Sequence, residues 1–152
     1  MERRPRRLVI GVGNAYRGDD GVGLSVVRSL REMNTGDIEI LEAAGDCTSL
    51  MESWKDAEVV ILVDALQSGA RAGSISRFCL NSEAFPTGLS RHSTHALGIA
   101  EIIELARAID CLPPSLIVYG VEGKNFQAGT ELSPAVREAV PRVVDSILKD
   151  LI

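Results

Sequence analysis

The sequence alternates short apolar runs with segments in which apolar residues recur at helical spacing, and this alternation constrains the fold more than any other feature. Residues 59–63 are apolar throughout, which indicates a strand buried on both faces of a sheet. Residues 21–32 carry their valines and Leu30 at the spacing of a helix. Strands that alternate with helices predict an α/β fold with a mostly parallel sheet.

We predict a three-layer sandwich, in which helices cover both faces of a twisted sheet of about five strands. Residues 73–80 alternate apolar and polar side chains with no helix before them, so they are predicted to form an antiparallel edge strand. Ser93 or Thr94, and Ser133, are the predicted helix N-caps. The other predicted strands are 8–13, 38–42, 59–63 and 116–121, and the predicted helices are 21–32, 50–55, about 94–109 and 134 onwards with a kink at Pro141.

Composition limits the classes of partner. A chain of 152 residues without a linker or repeat predicts one domain, residues 1–152. A net charge of −5 gives no long-range attraction for nucleic acid or anionic lipid. The basic opening precedes an apolar run too short for an export signal or a membrane span, and three scattered cysteines suit a reducing cytosol. We expect a cytoplasmic monomer that contacts neither nucleic acid nor membrane.

A glycine-rich loop leads from the first strand into the first helix, where open α/β sheets bind their ligands. Gly11 and Gly13, with Glu42 near the end of the second strand, could indicate a dinucleotide site. However, Tyr16 stands where the third glycine of that motif is expected, and two consecutive aspartates would repel a pyrophosphate. A nucleotide- or nucleoside-binding α/β enzyme stays as an alternative.

The same loop suits a cation better. Asp20 lies at the mouth of the first predicted helix and Asp64 at the end of a buried strand, so both should reach the carboxyl edge of the sheet. His95 falls in the first turn of a predicted helix, whose dipole favours a neutral imidazole that can bind metal. Three ligands leave coordination positions open, as in catalytic metal sites. Asp20, Asp64 and His95 are therefore the predicted metal-binding and catalytic residues.

Other polar residues are given lesser roles. Asp19 is interpreted as an N-cap, although it or its neighbour could serve as a general base. His92 is expected to face solvent or substrate. Cys47 has no flanking base, and Ser68 and Ser93 have no better claim as nucleophiles.

Three motifs follow one another between residues 11 and 98: Gly11-Val-Gly-Asn14 with Gly18-Asp-Asp-Gly21, then Ile61-Leu-Val-Asp-Ala65, then His95-Ala-Leu-Gly98. In their order and spacing the sequence resembles the hydrogenase maturation proteases. These endopeptidases trim the C-terminus of nickel-iron hydrogenase large-subunit precursors.

The resemblance implies that Asp20, Asp64 and His95 bind nickel carried by the substrate, with the large-subunit precursor as the protein partner and no organic cofactor. It leaves open whether the ion activates water, polarises the carbonyl or only positions the peptide. One segment departs from the family pattern: Glu42-Ala-Ala-Gly45-Asp46 stands where many members have an Asp-Gly-Gly-Thr-like segment. The target hydrogenase is therefore left open. A non-catalytic nickel-sensing chaperone of the same fold is a further alternative.

Overall fold

The structure is a computed structural model that describes residues 5–81 and 98–152. Within these ranges strands and helices alternate, and a 3₁₀ turn at Gly18–Gly21 precedes the first helix. The strands are β1 (Arg7–Val12), β2 (Ile38–Ala43), β3 (Val59–Leu66), β4 (Ile75–Cys79) and β5 (Ser115–Glu122). The helices are α1 (Val22–Glu32), α2 (Cys47–Ser53), α3 (Ile99–Ala108) and α4 (Pro134–Asp150).

The described strands form one sheet in the order β2-β1-β3-β5-β4. β2, β1, β3 and β5 are parallel, whereas β4 runs antiparallel to β5 at the edge. The predicted α/β class, the central position of β3 and the antiparallel edge strand are therefore confirmed. The four parallel strands end at one rim of the sheet, which we call the carboxyl edge; their starts define the amino edge.

Each face of the sheet has its own apolar core, as a parallel sheet buried on both sides requires. Helices α1 and α4 pack on one face, and α2 and α3 pack on the other. Successive strand residues alternate between the two cores, so Val63 and Ala65 contact the α1/α4 side and Leu62 the α2/α3 side. This arrangement confirms the predicted three-layer sandwich.

The backbones of β1 and α1 touch, and glycine makes this contact sterically feasible. A Cβ on Gly23 would lie 2.4 Å from the Val63 carbonyl oxygen and 2.6 Å from that of Val12. A Cβ on Gly11 would lie 2.3 Å from the Gly23 carbonyl oxygen. The missing side chains let the start of α1, and the 3₁₀ turn before it, lie against the carboxyl edge.

The predicted end of β3 is wrong. Asp64 lies inside the strand, because Ala65 pairs with Val121 and Leu66 with Glu122 on β5. β3 therefore ends at Leu66, two positions after Asp64.

The predicted start of α3 is also wrong. The helix begins at Ile99 after Gly98, which is in an extended conformation and makes no side-chain cap. The residue before the described helix is thus Gly98, and Ser93, Thr94 and His95 lie outside the described residues. Helix α2 starts earlier than predicted, at Cys47, because the Asp46 side chain accepts a 3.0 Å hydrogen bond from the Ser49 amide as its N-cap.

Helix α4 begins at Pro134 as predicted and continues through Pro141 to Asp150. Of the described helices, none is both long and apolar enough to cross a membrane. The monomeric state and the cytoplasmic location stay predictions.

Candidate active site

Asp64 is a buried carboxylate in the middle layer of the fold. Its side chain is 3% exposed. Since Val63 and Ala65 belong to the α1/α4 core, Asp64 faces the opposite side of the sheet, which α2 and α3 cover. Its Oδ1 accepts a 2.8 Å hydrogen bond from the amide of Ala65. The strand thus fixes Asp64 near the carboxyl edge, as the apolar run before it predicted.

Asp20 reaches the same edge from the 3₁₀ turn before α1. It is 2% exposed, and its Oδ2 accepts a 3.0 Å hydrogen bond from the amide of Asn14, two residues beyond the end of β1. A Cβ on Gly13 would lie 2.0 Å from the Asp20 carbonyl oxygen, so the turn packs directly on the end of β1. The glycine-rich loop therefore places Asp20 beside the end of β1, which is the strand that pairs with β3.

The two carboxylates act on one another electrostatically. Burial, and then the negative charge of Asp20, raise the pKa of Asp64 well above the ordinary value, against a smaller lowering by the Ala65 amide. The structure thus brings together two of the three predicted site residues. A cation at this edge would relieve the repulsion between them.

Asp19 has a different role from that of its neighbour, and the predicted N-cap is wrong. Its fully buried carboxylate accepts hydrogen bonds from the amides of Lys124 (2.7 Å), Asn125 (2.9 Å) and Ser133 (2.7 Å) and from the Ser133 hydroxyl (2.7 Å). Burial alone would raise the pKa of Asp19, but these donors outweigh it and lower the pKa. Asp19 therefore ties the 3₁₀ turn to the β5–α4 loop. With its oxygens so engaged, it is a poor general base.

Ser133 is the residue that precedes α4, as predicted, but its hydroxyl does not cap the helix. It donates to Asp19 instead. Backbone hydrogen bonds reinforce this junction, since the Gly18 amide donates to Gly129 and the Gly129 amide donates to Tyr16. These hydrogen bonds fix the loop that carries Asp20 against the β5–α4 loop.

Sequence reasoning missed Glu122, a further buried carboxylate at the carboxyl edge. It is 2% exposed and accepts hydrogen bonds from the Ser68 amide and hydroxyl, both at 2.7 Å, and from the Gly69 amide at 2.9 Å. These contacts make Ser68 a structural residue and fix the β3–β4 loop. The sequence signal that could have found Glu122 is its position directly after the apolar run of β5. A position directly after an apolar run is also the signal that predicted Asp64.

The histidines His92 and His95, together with Ser93, lie outside the described residues, so the nitrogen ligand of the predicted site is untested. Within residues 5–81 and 98–152, no group of three His, Cys, Asp or Glu side chains could hold a metal ion. The described chain supplies two of the three predicted ligands. Cys47 begins α2, and no nucleophilic role is assigned to it.

A cleft of about 420 Å³ opens beside Asp20. Backbone of the first loop forms one wall, and the start of the β2–α2 connection forms another. The lining residues are Gly13, Asn14, Ala15, Tyr16, Arg17, Asp20, Leu24, Arg28 and Ala44. Of the two site carboxylates, Asp20 lines this cleft.

A family model for hydrogenase maturation proteases, HycI, matches residues 24–150. The chain belongs to the hydrogenase maturation protease family. It is therefore a hydrolase, a protease that acts in hydrogenase maturation.

Individual proteins that are similar to this chain are hydrogenase maturation proteases as well. The hydrogenase 2 maturation protease of Escherichia coli (strain K12) is 25% identical over 148 residues, which cover 96% of this chain and 90% of that protein. The solved structure of the hydrogenase maturating endopeptidase HybD from E. coli has a TM-score of 0.81 at 22% identity and shows the same fold, covering 96% of this chain and 91% of that one. The [NiFe] hydrogenase maturation protease HybD from Thermococcus kodakarensis has a TM-score of 0.77 at 26% identity, with 95% and 97% covered.

The geometry of this hydrogenase maturation protease does not suit the nucleotide-binding alternative. The Gly13 amide donates to the carbonyl of Ala43 at 3.0 Å instead of pointing to an anion. Glu42, the residue that could have bound a ribose, pairs with Arg28 at 2.8 Å and Arg31 at 3.0 Å. These hydrogen bonds, chiefly that from Arg28, lower the pKa of Glu42. Glu42 thus belongs to an ion-pair cluster with α1.

Proposed function

We propose that this protease removes the C-terminal extension of a nickel-iron hydrogenase large-subunit precursor after nickel insertion, and that Asp20, Asp64 and His95 recognise the nickel. The observation that carries the proposal is the meeting of two buried carboxylates, from separate elements, at the carboxyl edge. Family membership supplies the class of substrate.

The expected place of His95 in the chain supports its part in the site. Helix α3 ends at the amino edge, where Arg107 donates to the carbonyl of Leu80, so its first residue lies towards the carboxyl edge. It covers the face of the sheet towards which Asp64 points. His95 precedes the first residue of α3 by four positions.

The ligand set fits a nickel ion that arrives already bound to its substrate. Two carboxylates and one imidazole are hard to borderline ligands, so this site should hold free divalent metal weakly. An ion held by substrate cysteines could complete its coordination here, which would make cleavage depend on nickel loading. The ion would then polarise the scissile carbonyl or activate a water. Asp20 and Asp64 would hold the ion against the reacting peptide, and Asp20 would accept the proton of the attacking water and pass it to the departing amine.

The test is the mass of the precursor after incubation with the protease. We expect only nickel-loaded precursor to lose its C-terminal extension, and Asp20→Asn, Asp64→Asn and His95→Ala to abolish this loss. Asp145→Asn, on the exposed side of α4, is the matched control and should cleave like the wild type.

Each other result has a distinct meaning. Full activity of His95→Ala would remove its ligand role, and cleavage of nickel-free precursor would remove nickel sensing. Nickel-dependent binding of the precursor without any change in its mass would favour the non-catalytic chaperone. A rise in melting temperature with nucleotide would revive the nucleotide-binding alternative.

A further inference from the structure

The cleft beside Asp20 has a charge distribution that the cleavage chemistry does not explain. Two arginines line it, Arg17 and Arg28, whereas its one acidic lining residue, Asp20, is almost fully buried. Both arginines are exposed. A site built only to receive a cation would not place guanidinium groups beside its carboxylates, because they repel the same ion.

The arginines are only partly neutralised. Arg28 and Arg31 share the single carboxylate of Glu42, at 2.8 Å and 3.0 Å. Among the residues that the structure describes, no acidic side chain pairs with Arg17. The exposed charged side chains that line the cleft are therefore the two arginines, of which Arg28 shares Glu42 with Arg31, although the whole chain carries a net charge of −5.

The shape of the cleft suits a segment of polypeptide. Its volume is about 420 Å³, enough for a few side chains. Leu24 supplies an apolar surface that is 6% exposed, and Tyr16, at 73% exposed, stands at the rim where it can pack on a passing chain.

We infer that this cleft binds an acidic segment of the substrate protein, with Arg17 as the specificity-determining residue. This inference rests on the proposed function, because it takes the occupant to be the precursor chain near its scissile bond. The bound substrate then carries opposite charges at two places: the cation lies against Asp20 and Asp64, and an Asp or Glu side chain lies against Arg17. A guanidinium suits this task because it can donate two parallel hydrogen bonds to one carboxylate.

Binding is measured first, with the full-length ¹⁵N-labelled protein and two blocked pentapeptides, one with two glutamates and one with glutamines in their place. The acidic peptide should shift the amide signals of Tyr16, Arg17 and Ala44, and the neutral peptide should not. Arg17→Glu should remove these shifts, and Arg17→Lys should retain them in part. Lys149→Glu makes the same change in net charge on exposed α4 and should leave them intact.

Processing is measured second, with nickel-loaded precursor. Arg17→Glu should lower kcat/KM by about fivefold or more through a higher KM, the scale of one exposed ion pair reversed. Replacing the acidic residues beside the cleavage site with lysine should restore cleavage by the Arg17→Glu protein.

The outcomes separate the two proposals. If the wild type cleaves the precursor but Arg17→Glu cleaves it equally well, the inference about the cleft is overturned and the proposed function stands. If the wild type cleaves no precursor, the proposed function fails, and the peptide titration still decides the cleft. Equal shifts with both peptides, or shifts that survive Arg17→Glu, also overturn the inference.

Discussion

Replacing Asp19 tests whether a single buried carboxylate holds the loop that carries Asp20. Asp19→Ala deletes the acceptor of four hydrogen bonds, three from backbone amides and one from the Ser133 hydroxyl. A buried donor that loses its partner costs about 1–3 kcal/mol. Lys124 and Asn125 are exposed residues whose amides water can partly reach, so the four losses do not add in full.

We therefore expect Asp19→Ala to lower the free energy of unfolding by about 3–5 kcal/mol at pH 7. That is a large part of the roughly 5–15 kcal/mol typical of a domain, yet it leaves the protein folded. Asp19→Asn keeps the volume of the side chain but turns an amide NH₂ towards N–H donors. It should therefore lower the free energy of unfolding by less than Asp19→Ala does. The assay is urea unfolding followed by the fluorescence of Trp54, the single tryptophan, which is 2% exposed.

The pH dependence gives a second, independent check on Asp19. Its pKa is lowered in the folded protein, so its stabilisation is present above the unfolded pKa of about 3.9 and is lost as pH falls through the folded value. The difference between the wild type and Asp19→Ala should therefore shrink below about pH 4. A variant within about 1 kcal/mol of the wild type at pH 7, or a difference that does not change down to pH 3, would refute this account of Asp19.

Three further changes test other parts of the structure. Gly23→Ala would place a Cβ 2.4 Å from the Val63 carbonyl oxygen and should cost about 3 kcal/mol or more in urea unfolding, whereas Gly36→Ala, at φ +71° in open space, should cost only about 1 kcal/mol. Glu122→Gln should cost about 1–3 kcal/mol and speed amide exchange in the β3–β4 loop, and normal exchange there would contradict its anchoring role. Asp64→Asn should stabilise the metal-free protein, and the gain should grow as pH rises from 4 to 8, because the pKa of Asp64 is raised and its ionisation opposes folding; a gain that does not depend on pH would contradict this.

The sheet could be predicted from the sequence because its signal is local. The five apolar residues of β3 required burial on both faces, and the alternation before Leu80 required an edge. Local patterns also located Asp20 and Asp64, since both follow glycine or apolar runs that end at the carboxyl edge. Prediction from local patterns failed where the structure of a residue depends on partners far away in the sequence. β3 continues past Asp64 because β5 pairs with its last residues, and no local rule contains that pairing.

Asp19 shows the same limit inside the site. By local rules an Asp before a helix is an N-cap, which is the role that the sequence predicted for Asp19. The partners of Asp19 lie 105 to 114 residues further along the chain, where the β5–α4 loop meets the turn. Only the folded sheet brings that loop near. The start of α3 was misplaced for a related reason, since helical periodicity does not record that Gly98 is extended.

The carboxyl edge therefore divides its buried carboxylates into two kinds, and the division follows from the donors around them. Asp19 and Glu122 each accept three or more hydrogen bonds, which make them part of the scaffold. Asp64 is buried as deeply, and burial and then the negative charge of Asp20 oppose its ionisation. A fold that only needed stability would gain from an amide at position 64. The retention of two repelling carboxylates is explained if their intended partner is a cation that arrives from outside the chain, and Asp64→Asn should then raise stability while it abolishes cleavage.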